Sequence, residues 1–185
     1  MKILDVGGNE HFWVNSGFHE EQDIDITILN LTKIETNYPN FRAVAGDATE
    51  LSDFNDNEFD IAFSNSVIEH LYTKENQIKM ANEMRRVGKY YFVQTPNKYF
   101  FMEPHYLIPY FQFLPKKWRL FILTKTKLSR NMKWDKNAAQ QYLDEIRLIS
   151  GNEYKKLFPA GNIWKEKFLG FSKSFIAHNF NTGNN

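Results

Sequence analysis

Apolar positions fall into short runs separated by polar and turn-forming stretches, and their period changes along the chain. Residues 3–6 form a short apolar run that ends at Gly7-Gly8, the pattern of a buried parallel strand stopped by a tight turn. A second strand is predicted over 24–31, where Ile24, Ile26 and Ile28 alternate with polar residues before Leu29 and Leu31. A third covers 41–45 after the turn Asn37-Tyr38-Pro39-Asn40. The fourth covers 59–63, and the fifth, 89–94, is rich in aromatic and β-branched residues and is stopped by Pro96. Between the last two, Thr73 caps a helix with Ile78, Ala81, Met84 and Val87 on its apolar face and Gly88 at its end. The link over 9–22 has room only for a stunted helix.

A long aromatic segment follows Pro96. Beyond it a helix is expected over about 135–148, with Ala139, Tyr142, Leu143 and Ile146 on one face. Ser150 and Glu153 have capping-box spacing for a short helix ending near Phe158. Strands over 163–169 and 173–180 turn near Gly170, and 179–185 reads as a frayed tail. The sum is an α/β fold: a doubly wound, mostly parallel seven-stranded sheet with a C-terminal antiparallel hairpin. We expect one domain over 1–185, with the aromatic insertion at about 97–134 forming a lid or a substrate-binding subdomain.

Composition narrows the chemistry. The 185 residues carry 23 Lys and Arg against 22 Asp and Glu, without the basic field that duplex DNA requires. The absence of cysteine excludes disulfides, thiolate metal sites and a cysteine nucleophile, and fits a reducing, cytoplasmic setting. The N-terminus enters the first strand without a signal-peptide pattern. Residues 99–123 are apolar but broken by Glu103, Pro104, His105, Pro109, Pro115, Lys116, Lys117 and Arg119, so peripheral membrane contact is open while a span is not expected.

Leu4-Asp5-Val6-Gly7-Gly8, then Gly46-Asp47-Ala48, then the stretch 59–71 ending in Glu69-His70-Leu71 closely resemble the ordered motifs of class I S-adenosylmethionine-dependent methyltransferases, with their Rossmann-like fold. The resemblance implies S-adenosyl-L-methionine as cofactor. It lies outside the carboxyl ends of the strands, where Gly7 and Gly8 let it approach the backbone. The resemblance further implies that Asp5 attracts the cofactor's amino group, that Asp47 accepts from the adenine amino group beside the Ala48 N–H, and that Ser64 and Asn65 form the floor under its methionine part. Asn30 stands where the family carries an acid for the ribose hydroxyls, and Asn9, Glu10 and His11 replace further glycines. A plain glycine turn, a solvated strand end at Asn30 and an ordinary capping role for Asp47 are the alternatives. The missing G-x-G-x-x-G speaks against a nicotinamide-dependent oxidoreductase.

The acceptor side falls to residues 95–109. For a hydroxyl acceptor His105 is the candidate base, oriented by Glu103 two residues away. The competing reading makes His105 structural, and in the family the Glu69-His70 pair mostly packs and caps. The spacing of histidines and carboxylates suggests no required metal. The expected acceptor is a small molecule or a saccharide or lipid intermediate. An RNA acceptor is the rival suggested by Lys116, Lys117, Arg119, Lys125, Lys127, Arg130 and Lys133, which also read as a solvated face or a surface for anionic lipid. A homodimer, or a non-catalytic partner subunit that has lost cofactor binding, stays open. Class I enzymes often cover the cofactor with a helix before the first strand, a place that a partner chain could fill here.

Overall fold

Short connections and buried, β-branched runs force the first five strands to lie side by side in one direction. In the computed structural model, which describes residues 1–181, these are β1 (Lys2–Val6), β2 (Asp25–Asn30), β3 (Phe41–Ala45), β4 (Phe59–Asn65) and β5 (Gly88–Pro96). Two tiny strands, β6 (Met102–Glu103) and β7 (Ile108–Pro109), pair only with each other. β8 (Asn162–Phe168) and β9 (Phe171–His178) form the closing hairpin, turned at Leu169 and the left-handed Gly170. The seven-stranded order is β3-β2-β1-β4-β5-β9-β8, parallel up to β5 and antiparallel from there. β5 runs on through Pro96, which ends the strand opposite Ser174, where a missing N–H interrupts no later pairing.

Alternation along each strand divides the sheet into two faces. Leu4, Val6, Ala62, Tyr91 and Val93 point to one of them, where Met80 and Met84 of α2 (Lys74–Val87) and Tyr154 of a later helix, α5 (Gly151–Leu157), complete a large core. Ile3, Ile26 and Ile28 point the other way, against Trp13 of the six-residue α1 (Glu10–Asn15). Thr73 caps α2 as expected, its hydroxyl accepting from the Asn76 N–H at 3.1 Å. The buried stripe of α2 is Gln77, Met80, Ala81, Met84 and Val87, whereas Ile78 is exposed. A three-residue step drifts about 60° around a helix, so Ile78 and Val87 cannot share one face, and the stripe mixes three- and four-residue steps instead.

The chain between β5 and α5 makes an excursion with a core of its own. Tyr106 and Phe111 pack there with Leu123 of α3 (Lys116–Lys125) and with Ala139 and Leu143 of α4 (Lys136–Glu145). A bridge between Asn97 and Ile149 brings its two ends together, so the excursion includes α4 and reaches beyond residue 134. The basic residues in it are not uniformly solvated: Lys116 pairs with Asp144, and Arg130 Nε donates to the His105 carbonyl at 3.0 Å.

The capping box at α5 is complete, with the Ser150 N–H donating to Glu153 Oε2 at 3.1 Å and Ser150 Oγ accepting from the Glu153 N–H. Ser150→Ala should lower the urea midpoint by the equivalent of about 1 kcal/mol without changing the slope. The expected frayed tail is partly held: Asn179 Oδ1 accepts from the Tyr91 N–H at 2.8 Å and Phe180 stacks on Tyr90. Residues 182–185 lie outside the described residues.

Candidate active site

The strand order reverses between β1 and β4, and an open sheet leaves a crevice outside its carboxyl edge at that point. The turns after β1, β2, β3 and β4 converge there on a cleft of about 420 Å³ whose wall includes Gly7, Asn30, Asp47, Ala48, Val67 and His70. Gly7 has φ +79°, and a side chain on it would come within 2.6 Å of Val67 Cγ2. Gly8 lies over Asp5 so closely that a Cβ would sit 1.8 Å from Asp5 Oδ2. The turn thus passes between Val67 and Asp5 because it has no side chains, and its backbone borders the cleft.

Asp5 is behind this turn rather than on the wall. It is 1 % exposed and accepts from the Trp13 indole N–H at 2.6 Å. Burial pushes its carboxyl up to about 7, against the lowering effect of that hydrogen bond. Asn30 Nδ2 donates to the Gly8 carbonyl at 2.8 Å, so the amide braces the glycine turn. Its Oδ1 remains an acceptor. Asp47 is exposed on the wall and accepts from the Thr49 N–H at 2.8 Å. Arg86 holds the loop that follows, donating to the Leu51 and Phe54 carbonyls at 2.8 Å each.

Ser64 does not form a floor. Its side chain is buried and donates to the Val6 carbonyl at 3.0 Å, tying β4 to β1. Asn65 lines a second, larger cavity of about 710 Å³, together with Phe63, Phe92, Gln94, Met102 and Trp164. Ser66 lines both spaces. It stands at φ +58°, held by its N–H to the Gln94 carbonyl at 3.1 Å and by its hydroxyl to Gln94 Oε1 at 2.8 Å. Sequence reading passed over Ser66, since serine carries no signal for a left-handed backbone.

A chain of titratable groups backs the cleft. Glu145 of α4 and His70 are both on its wall, with Glu145 Oε1 2.7 Å from His70 Nδ1. His70 Nε2 meets His105 Nε2 at 3.2 Å, and His105 Nδ1 lies 2.7 Å from Glu103 Oε1. Glu69 is fully buried, and its Oε2 accepts from Thr95 Oγ1 at 2.9 Å. Burial raises the pKa of Glu69.

A glycine turn at the switch point, an acid after β3 and a cleft joining them decide the reading. Residues 7–90 match the family model of the methyltransferase domain. The matched stretch holds the glycine turn and Asp47, and over it the chain is similar to the methyltransferase domain family. Solved structures of the same fold include a methyltransferase from Archaeoglobus fulgidus, 13% identical, covering 96% of this chain and 84% of that one with a TM-score of 0.56. One from Methanosarcina mazei is 13% identical over 96% and 90%, with a TM-score of 0.55. A Rhodobacter sphaeroides chain named among zinc-dependent alcohol dehydrogenases is 12% identical over 96% and 82%, with a TM-score of 0.58, so likeness at this level speaks to the fold alone. No curated protein matches the chain. No helix among the described residues is long and apolar enough to cross a membrane.

Around the cleft the expected site residues separate. Gly7, Asn30, Asp47 and Ala48 share the cleft, Gly8 braces its rim through Asn30, Asp5 and Ser64 support it from behind, and Asn65 faces the neighbouring cavity. The Glu103–His105 pair forms, and both side chains are buried and line neither space. A base has to reach the proton it removes, and His105 meets the cleft only through His70. His70, expected mostly to pack and cap, is the residue on the wall.

Proposed function

We propose that the 420 Å³ cleft binds S-adenosyl-L-methionine and that the adjoining cavity seats a small-molecule acceptor, of the saccharide or lipid-intermediate kind. The observation that carries this reading is Ser66, the wall common to both spaces, where a donor in one and an acceptor in the other come into line. The cofactor supplies a methyl group on a sulfonium, a good leaving group. The chain's own residues bind and align. The glycine turn gives the cofactor backbone contact, Asn30 Oδ1 accepts from the ribose, and Asp47 accepts from the adenine amino group. The rings of Phe63, Phe92 and Trp164 offer flat apolar surface to an acceptor, with Asn65 and Gln94 as its polar contacts.

Calorimetric titration with S-adenosylmethionine and S-adenosylhomocysteine tests the cofactor half. Saturable binding is expected, weakened about 10- to 100-fold by Asp47→Ala through loss of one charged hydrogen bond. Folded protein that binds neither nucleotide at millimolar concentration would overturn the reading.

A further inference from the structure

We infer that Glu69, His70 and His105 form a binding site for one divalent transition-metal ion of the zinc type, joining the sheet to the excursion that follows β5. Four observations converge on it, and none depends on the methyl-transfer reading.

The first is the facing of the two imidazoles. A carboxylate oxygen only accepts, so the contacts of Glu145 with His70 Nδ1 and of Glu103 with His105 Nδ1, each 2.7 Å, place the ring proton on Nδ1 in both. Both Nε2 atoms then carry lone pairs, and they point at each other across 3.2 Å. Two lone pairs at that distance repel unless a cation lies between them. Carboxylates on the far nitrogen of each ring are also the arrangement that fixes the tautomer and orientation of metal-binding histidines.

The second is a donor without a partner. Glu69 Oε1 is buried and accepts no hydrogen bond, although the side chain is fully enclosed, and it faces His105 Nε2 at 3.9 Å. Leaving a buried carboxylate oxygen unpaired is costly, and a cation shared with the two nitrogens removes the cost.

The third is spacing. One donor atom from each of Glu69, His70 and His105 lies within 4.8 Å of the other two. Bonds of about 2.0–2.1 Å at a tetrahedral zinc ion place two nitrogens about 3.3 Å apart, close to the separation of the two Nε2 atoms. Two imidazoles and one carboxylate suit zinc, cobalt or nickel rather than calcium or magnesium.

The fourth is charge and access. Glu69, Glu103 and Glu145 surround the two rings, and a divalent ion balances most of that negative charge. His70 is a quarter exposed on the cleft wall, which gives the ion a way in and leaves a fourth position for water or a ligand. As ligands, His70 and His105 would use the lone pairs that a general base requires.

The test uses the full chain, stripped with a chelator and dialysed, then titrated with Co2+ and Zn2+. One Co2+ per chain with ligand-field absorption, displaced by Zn2+, is expected. His105→Ala and Glu69→Gln should each weaken binding at least about 100-fold, and Glu103→Gln about 10- to 100-fold through the ring it orients. Circular dichroism checks that each variant is folded. His70→Ala, at the most accessible ligand, is the substitute should a buried change unfold the chain. No binding by folded wild type at millimolar metal, or binding that these variants leave unchanged, would overturn the site and assign a shared proton to the histidine pair.

Discussion

Replacing Gly8 with alanine should destabilise the protein by about 3 kcal/mol and reduce affinity for S-adenosylhomocysteine more than about 100-fold. The new Cβ would lie 1.8 Å from Asp5 Oδ2 and 2.2 Å from its Cγ. Asp5 has nowhere to go: it is 1 % exposed, its carboxyl holds the Trp13 indole, and its backbone is paired on both sides within the sheet. The turn has to lift instead, which strains the Gly7 N–H bond to the Leu29 carbonyl and the Asn30 brace on Gly8. Urea unfolding and calorimetry read the two effects separately. Gly17→Ala is the control, because Gly17 has φ +82° with open space around it and pays only in backbone strain. Its cofactor affinity should match wild type; a Gly8→Ala protein that also matched would mean that the turn does not rest on Asp5.

Asp5→Asn should remove a pH dependence of stability worth up to about 4 kcal/mol. The carboxyl is pushed from its ordinary 3.8 up to about 7 by burial in the folded protein, so the folded state holds the proton more tightly. This contribution is fully present below pH 3.8 and is lost as pH rises through 7, the opposite of the behaviour of a salt-bridged carboxylate. Asparagine stays neutral and still accepts from Trp13, so any cost of its amide N–H group is the same at every pH. Stability of wild type minus variant, measured by urea unfolding from pH 4 to pH 8, should therefore fall steadily. A flat difference would show that Asp5 ionises in its ordinary range.

The parts of this fold legible in the sequence are those set by neighbours in the chain. Thr73 and the Ser150–Glu153 pair start helices because capping needs only three residues, and the hairpin turn at Gly170 follows from local backbone freedom. The mostly parallel seven-stranded sheet and its closing antiparallel hairpin also followed, since strands joined by crossovers run parallel and a tight turn reverses the last one. The motif glycines and Asp47 were found as cleft residues, but motif order cannot say which side chains face inward. Asp5 and Ser64 alternate to positions behind the wall, and Ser66 adopts a conformation that its side chain does not announce. The histidine pair was hidden for a different reason. His70 and His105 are 35 residues apart and meet only because the excursion folds back on the sheet. A search by spacing along the chain misses contacts that tertiary packing creates.

The bridge between Asn97 and Ile149 has a consequence for descent as well as for structure. A segment that leaves and re-enters at neighbouring points, with an apolar interior of its own, behaves as a cassette: its loss or exchange leaves the ends already close together and adds little loop-closure entropy. Relatives that keep the glycine turn and the acid after β3 are thereby free to inherit different cassettes. Exchange at two adjacent splice points would leave the sheet, the glycine turn and the loop after β3 as they are.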